Sequence, residues 1–366
     1  MMKPILLFFL LMASMCACGR TSACHDADGD TSDSTAGTAH IEKRSVYYWK
    51  TVLRLGSAER HFLRRHDIGR IYMRLFDVCA DPYAAVPEDK AAPNASIRID
   101  DTDYHFLNDS LNHIEVVPVV YITLDALKAM KNHEGMLASN IVTRVRNMAS
   151  YNGLPHVGEM QLDCDWTAST EQSFFTLCDS VRAAILKNGL NWELSSTIRL
   201  HQLARKVPPV DRGVLMVYNT GSFNDPDAVN SIIDPADVEP YMKYLPDYKL
   251  HLDVAYPTYS WQLLFHDRKF AGLTGGLNLA DSTRFAQRGS NTYVALRDIP
   301  YNDRVICRGD MVRQETSAFS DIIRVGDMIE RNLSPGPHST ILYHLDISNL
   351  SNYSPDEIDK IFVSCR

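Results

Sequence analysis

Runs of basic residues are absent from this 366-residue chain, in which 45 Asp and Glu residues outnumber 37 Lys and Arg residues and leave a net charge of -8. The basic pairs Arg64-Arg65 and Arg205-Lys206 stand alone, as they do on solvated helix faces. Because proteins bind a phosphate backbone through clustered Lys and Arg side chains, we expect no nucleic-acid partner.

The fingerprints of cofactor and metal chemistry are missing as well. No Gly-x-Gly-x-x-Gly follows the first predicted strand, no Gly-x-x-x-x-Gly-Lys-Ser/Thr occurs, and no Gly-x-Ser-x-Gly marks a nucleophilic serine. The 8 cysteines and 13 histidines include no Cys-x-x-Cys or His-x-x-x-His spacing. We therefore predict no cofactor and no metal site.

Only the start of the chain carries an extended apolar run. A positive start at Lys3 is followed by the apolar stretch 4–15, which is too short to span a bilayer. The pattern Met15-Cys16-Ala17-Cys18 resembles a bacterial lipoprotein signal, in which the cysteine after a small residue is acylated. We predict a lipoprotein signal peptide over 1–18 with Cys18 as the lipidation site; the alternative is an ordinary cleaved signal peptide.

The segment 19–40 consists mainly of Ser, Thr, Asp, Gly and Ala without apolar periodicity, so it cannot bury enough apolar surface to offset its ordering entropy. We predict a disordered tether there. The protein is then expected to be exported, held at a membrane of the bacterial cell envelope by its lipid alone, and monomeric.

Residues 41–366 show apolar β-type runs separated by helical patterns, which favours a parallel sheet with right-handed crossovers. The runs are 45–50, 70–76, 115–122, 159–165, 192–199, 213–218, 249–255 and 340–346. Eight such runs over about 320 residues predict one α/β domain, a (β/α)8 TIM-type barrel. The crossover after the second run is irregular, and the long insertion between the seventh and eighth runs contains 291–299 and 304–308, which predict a hairpin. The helical patterns include 52–66 and 315–332, and Ser354-Pro355 is the start signal of a last helix over 355–363. The alternative is an open doubly wound sheet.

The fourth run ends in closely spaced acidic residues. In an extended strand Gln161, Asp163 and Asp165 share one face, so two carboxylates point the same way. Such a like-charged pair is unfavourable unless it is ligated or functional, and active sites of barrels lie at the C-terminal strand ends. The alternative is that one Asp caps the helix that begins near Ala168 and the other pairs with a basic residue.

Acidic, amide and aromatic residues occur at the other strand ends too. Carboxylates and amides bind hydroxyl groups, and aromatic faces cover the C–H surfaces of sugar rings, so this mixture favours a glycan or oligosaccharide partner. The residues predicted to bind substrate are Gln161, Trp166, Asn219, Asp253, Tyr256, His344 and Asp346.

Two of these strand ends carry a family resemblance. Leu162-Asp163-Cys164-Asp165-Trp166 resembles the fourth-strand signature Asp-x-x-Asp-x-Asp-x-Glu of family 18 chitinase-type glycoside hydrolases, and Met216-Val217-Tyr218-Asn219 resembles their sixth-strand Met-x-Tyr-Asp. The resemblance implies that Asp163, Asp165 and Tyr218 are the catalytic residues. Thr167 stands at the position of the family's acid, and Met160 and Asn219 replace two further Asp residues.

A broader resemblance is to a group of uncharacterised bacterial lipoproteins with a glycosidase-type barrel. It rests on the stretches 159–166, 214–221 and 342–350. This resemblance implies the fold and no particular reaction.

Two hypotheses follow for the function. In the first, the protein is a glycoside hydrolase in which Asp165 or Asp163 acts as the acid or orients the substrate, Tyr218 stabilises developing charge, and Asp253 or Asp346 is the second carboxylate. In the second, it is a glycan-binding or structural lipoprotein that kept the cleft and lost the acid, as Thr167 suggests.

Overall fold

The computed structural model describes residues 43–365, apart from 87, 88, 155, 156, 303, 335 and 337. The predicted signal peptide, the tether and Cys18 lie outside these residues. The strands are β1 Arg44–Tyr48, β2 Ile68–Ala80, β3 Ala91–Asn94, β4 Glu115–Ile122, β5 Glu159–Asp163, β6 Glu193–Arg199, β7 Arg212–Met216, β8 Leu252–Pro257, β9 Ser260–His266, β10 Lys269–Thr274, β11 Phe285–Gln287, β12 Thr292–Ala295, β13 Ile299–Tyr301, β14 Arg304–Ile306, β15 Met311–Thr316 and β16 Thr340–Tyr343. The helices are α1 Ser57–Arg65, α2 Asp101–Asn108, α3 Leu124–Ala129, α4 Glu134–Tyr151, α5 Glu171–Lys187, α6 Pro235–Val238, α7 Phe319–Glu330, α8 Ile347–Leu350 and α9 Pro355–Ser364, with 3-10 helices at Leu200–Ala204 and Glu239–Asp247.

Eight parallel strands close into a barrel in the order β1, β2, β4, β5, β6, β7, β8 and β16. The ring closes at β1, where Val46 pairs with Ile71 of β2 on one side and with Leu342 of β16 on the other. These are the eight strands expected from the apolar runs, and the (β/α)8 prediction is confirmed.

The helices cover the barrel because each carries an apolar stripe at helical spacing. In α4 the side chains of Leu137, Ile141 and Val145 recur every four residues, and all three are buried. The predicted start of the last helix is also confirmed: Ser354 caps α9 in a capping box with Glu357.

Two element boundaries differ from the sequence expectation. The helix expected from about residue 52 begins at Ser57, because Val52 forms a parallel bridge with Arg98 and the backbone of Gly56 is still extended. The helix expected from about residue 315 begins at Phe319, because Glu315 and Thr316 still pair with β9. The irregular second crossover contains β3, antiparallel to β2, and α2.

The insertion between β8 and β16 forms an antiparallel sheet in the order β10, β9, β15, β12 and β11. The sequence predicted a hairpin of 291–299 with 304–308. Only Ile299–Tyr301 pairs with β14, whereas Thr292–Ala295 pairs with β11 and β15. That choice of partners lets Ala295 pack into a separate small apolar core of the insertion with Leu264 and Val312.

Across the part of the chain that the structure describes, none of the helices combines the length and apolarity that crossing a bilayer requires.

Candidate functional site

A pocket of about 320 Å³ opens at the C-terminal ends of the barrel strands. The segments that follow β5, β6 and β7 form most of it, and β9 of the insertion adds one wall. Its lining residues are Asp165, Arg199, Leu200, His201, Met216, Tyr218, Asn219, Thr220, Gly221, Phe223, Tyr241 and Trp261.

One guanidinium holds the two carboxylates that the sequence placed on one strand face. Arg199 Nε donates a hydrogen bond to Asp165 Oδ1, and Arg199 Nη2 donates to Asp163 Oδ1 at 3.1 Å. Thr197 Oγ1 donates to the same Asp163 oxygen at 2.8 Å. Both Asp residues thus contact one side chain, as the strand alternation predicts, and both pair with a basic residue.

The two carboxylates differ in their access to solvent. The Asp163 side chain is completely buried, whereas 36% of the Asp165 side chain is exposed at the pocket. Burial raises the pKa of Asp163 well above its ordinary value; the positive charge of Arg199 opposes this rise and the negative charge of Asp165 adds to it. Asp163 therefore belongs to the barrel interior, and Asp165 is the carboxylate that a ligand can meet.

Thr167, which the sequence resemblance aligns with the family 18 acid, brings no titratable group. Its backbone N–H donates to Thr170 Oγ1 at 2.9 Å, and its hydroxyl shares a hydrogen bond of 3.0 Å with Ser169. These contacts fix the turn that leads into α5, and neither Asp caps the turn. Among the described residues that line the pocket, Asp165 is the only carboxylate.

Aromatic rings form a packed wall beside the ion pair. The ring of Tyr218 stacks on that of Tyr343 with centroids 4.8 Å apart, and Tyr259 contacts both rings edge-on. Tyr259 Oη donates to Asn219 Oδ1 at 2.7 Å. Asn219 has φ 51°, a left-handed conformation that Asn tolerates better than most residues. Tyr218 and Asn219 both line the pocket.

The insertion supplies a further wall that strand-end reasoning missed. Trp261 Nε1 donates to Glu315 Oε2 at 2.6 Å, and Ser231 Oγ donates to the same oxygen at 2.6 Å. Arg313 Nε donates to the other oxygen, Oε1, at 2.6 Å. Both oxygens of the buried Glu315 carboxylate therefore accept hydrogen bonds, and one of these bonds fixes the position of the Trp261 ring. No local motif marks Glu315, because β9 and β15 become neighbours only in the folded insertion.

Six of the seven residues predicted to bind substrate do not line the pocket, and four of these lie on or just after β5 and on β8. Gln161 lies inside the barrel, where Tyr47 Oη donates to its Oε1 at 2.7 Å and its Nε2 donates to Ser195 Oγ at 3.1 Å. Trp166 packs against Phe174 outside the strands, because its strand position points to the opposite face from Asp165.

The other two lie on the seventh barrel strand. Asp253 is near the N-terminal end of β8, where its Oδ1 accepts from the Ser339 N–H at 2.6 Å. Tyr256 is fully buried toward the helical layer beside Cys365. Neither lines the pocket.

His344 and Asp346 follow β16 at the mouth of the barrel and do not line the pocket. Asp346 forms an ion pair of 2.8 Å with Lys50 and caps α8 by accepting from the Ser348 N–H at 3.0 Å. Burial acts to raise the pKa of Asp346, but the bonds from Lys50 and Ser348 outweigh it and lower the pKa to about 2. Burial lowers the pKa of His344 to about 4. Asp346 thus caps α8 and forms an ion pair with Lys50.

No protein-family model matches the chain, and no curated protein sequence matches it. Solved structures do. A chitinase from Chromobacterium violaceum ATCC 12472 superposes with a TM-score of 0.52 at 12% identity, covering 89% of this chain and 99% of the chitinase. A chitinase from Bacteroides thetaiotaomicron superposes with a TM-score of 0.51 at 12% identity, covering 88% and 97%. The chain is therefore distantly similar to these chitinases in its (β/α)8 barrel fold.

Proposed function

We propose that the protein binds glycans in the pocket at the strand ends and does not cleave them. The observation that carries the proposal is the pairing of Arg199 with both Asp163 and Asp165. Thr167, where the family 18 resemblance expects the acid, supplies no carboxyl group to replace them.

The composition of the pocket suits a sugar ligand. Asp165, Arg199 and Asn219 offer charged and amide groups to hydroxyls, while Trp261 and Tyr241 offer aromatic faces to C–H surfaces. The volume of about 320 Å³ lies at the lower end of the range of roughly 300–1,000 Å³ for ligand sites. The similar structures are chitinases, so chitin oligosaccharides are the first probes to use.

The same groups do not suit hydrolysis. Glycosidic cleavage requires a protonated carboxyl at the leaving oxygen and, in most families, a second carboxylate about 5–10 Å away. Asp165 accepts a hydrogen bond from Arg199, and Asp163 lies buried beneath it. Thr167 has no dissociable proton at neutral pH with which to replace the acid.

We also propose that export and a lipid on Cys18 hold this pocket at a membrane of the cell envelope. The support is the sequence 1–18 and the polar segment that follows it. A binding protein in that position would retain glycans at the surface without degrading them.

The alternative is a hydrolase that uses Asp165 as its acid, and the partial exposure of Asp165 in the pocket favours it. The test is to measure binding and hydrolysis of chitin oligosaccharides and aryl glycosides with the same protein preparation. Variants Asp165→Asn and Trp261→Ala probe the pocket, and Asp125→Asn, which alters a carboxylate that is 76% exposed on α3, is the matched control.

The proposal expects ligand-dependent thermal stabilisation without turnover, lost in both pocket variants and kept in Asp125→Asn. Turnover that disappears in Asp165→Asn would overturn it and establish the hydrolase. Absence of both binding and turnover across the glycan panel would reject both functions.

A further inference from the structure

Three side chains with metal-binding donor atoms meet in the insertion, outside the pocket. They are His266, Cys307 and Asp310, and one donor atom from each lies within 4.8 Å of the other two. Imidazole nitrogen, thiolate sulfur and carboxylate oxygen are together the donor set of zinc-type ions.

Paired backbone strands hold two of the three residues opposite each other. His266 ends β9 and Asp310 directly precedes β15, and the neighbouring residues Phe265 and Met311 are partners in the antiparallel register. As a result His266 Nδ1 lies 2.7 Å from Asp310 Oδ1. Asp310 is almost completely buried, whereas the imidazole is 57% exposed.

A tight turn brings the third donor to the same place. The N–H of Cys307 donates to Asp310 Oδ2 at 2.8 Å, and the N–H of Asp310 donates to the Cys307 carbonyl at 3.0 Å. Gly309 between them has φ 94°, in the region that glycine adopts without strain. The turn therefore fixes Cys307 beside the carboxylate with no contribution from a ligand.

We propose that His266, Cys307 and Asp310 bind a zinc-type divalent transition-metal ion. Zinc bonds of about 2.0–2.3 Å with tetrahedral angles place ligand atoms roughly 3–4 Å apart, so a contraction of about 1 Å or less brings the most separated pair into range. The exposure of His266 leaves a fourth position open to solvent. Mg²⁺ and Ca²⁺ prefer all-oxygen sites and do not match a thiolate and an imidazole.

Binding involves proton release and no redox change. The ion takes the place of the Cys307 thiol proton and of any proton shared between His266 and Asp310, and these protons pass to solvent. The ion then connects the end of β9 to the turn between β14 and β15. This site is independent of the proposed glycan-binding function.

The test titrates the full chain with Zn²⁺ alone by calorimetry and with Co²⁺ alone by absorption spectroscopy. The result expected is one equivalent of ion whose Co²⁺ form has a thiolate-to-metal charge-transfer band. Cys307→Ser should abolish that band and weaken Zn²⁺ binding at least tenfold, and Asp310→Asn should weaken Zn²⁺ binding at least tenfold. Cys79 is the other partly exposed free cysteine among the described residues, and Cys79→Ser should leave the charge-transfer band and the Zn²⁺ affinity unchanged.

The design separates this site from donors in residues 1–42, such as Cys24 and His25, because binding there persists in Cys307→Ser. A charge-transfer band of undiminished intensity in Cys307→Ser, or equal Zn²⁺ affinities and stoichiometries of the wild-type protein and that variant, would overturn the proposal. Matching circular dichroism spectra of the wild-type protein and the variants would exclude misfolding as the cause of lost binding.

Discussion

Arg199 Nε donates a hydrogen bond to Asp165 Oδ1 at the mouth of the barrel, and the same guanidinium reaches down to Asp163. Only 10% of the Arg199 side chain is exposed. Two carboxylates on one strand face repel each other, and in a desolvated site that repulsion is poorly screened. The positive charge of the guanidinium lies between the two carboxylates and opposes that repulsion, so Arg199 stabilises the strand ends in addition to facing the pocket.

Replacing Arg199 with Met should therefore destabilise the fold by about 3–5 kcal/mol, because it leaves buried carboxylate charge without a partner. Urea unfolding at neutral pH measures this. Asp163→Asn in the Arg199→Met background should recover part of the loss. The control is Arg182→Met, which breaks an ion pair of 2.8 Å between Arg182 and Asp211, whose side chains are 41% and 35% exposed. This variant should lower the free energy of unfolding by about 1 kcal/mol or less. Equal losses in the two single variants would contradict the role given to Arg199.

Trp261→Phe should weaken glycan binding about tenfold and lower stability by about 1–2 kcal/mol. The substitution keeps an aromatic ring but removes the Nε1–H donor, so the buried Glu315 loses one of its hydrogen bonds. Titration of chitin oligosaccharides and urea unfolding measure the two effects. Trp192→Phe, a tryptophan that does not line the pocket, should leave binding unchanged. If Trp261→Phe kept its affinity for the oligosaccharides, the insertion would not contribute to glycan binding.

The barrel could be predicted because each sequence signal for it lies within a short stretch of the chain. Each strand from β1 to β16 in the ring is an apolar run such as 115–122, and a start signal such as Ser354-Pro355 is contained within a few residues. The shared face of Asp163 and Asp165 likewise follows from strand alternation alone. These features require no knowledge of distant partners.

The remaining features depend on which segments meet in space. Strand alternation places Trp166 and Asp165 on opposite faces of the strand. Which of the two faces points to the pocket depends on where the helices cover the strand. Asp253 was assigned to the wrong end of its strand because β8 begins at Leu252, later than the predicted run. The prediction of no metal site considered only spacing along the chain, whereas strand pairing in the insertion brings His266 to Asp310.

Cys18→Ser should abolish incorporation of labelled fatty acid when the chain is expressed in a bacterium with a lipoprotein pathway. The reason is that the small residue Ala17 directly precedes Cys18, whereas Met15 precedes Cys16. Gel fluorography of the labelled protein measures incorporation, and Cys16→Ser is the matched control that should still be labelled. An unlabelled wild-type protein with a cleaved N-terminus would instead establish an ordinary signal peptide.

Glu159 begins β5 two residues before Gln161 and four before Asp163, so all three point into the barrel. Glu159 is only 2% exposed. Burial raises its pKa from 4.5 to about 7, against the opposing effects of the Arg70 and Arg212 charges. The neutral carboxyl is therefore the form that suits the barrel interior.

The wild-type protein should lose stability relative to Glu159→Gln as pH rises. A raised folded-state pKa contributes stability that is complete below the unfolded value of 4.5 and is lost as pH passes through about 7. A pKa shift of this size corresponds to a loss of about 3 kcal/mol in the free energy of unfolding between pH 4 and pH 8. Urea unfolding of both proteins across that range measures the difference. Glu239→Gln, on an exposed 3-10 helix position, controls for the general effect of removing a carboxylate. A constant difference between the wild-type protein and Glu159→Gln would mean that Glu159 keeps its charge in the folded barrel.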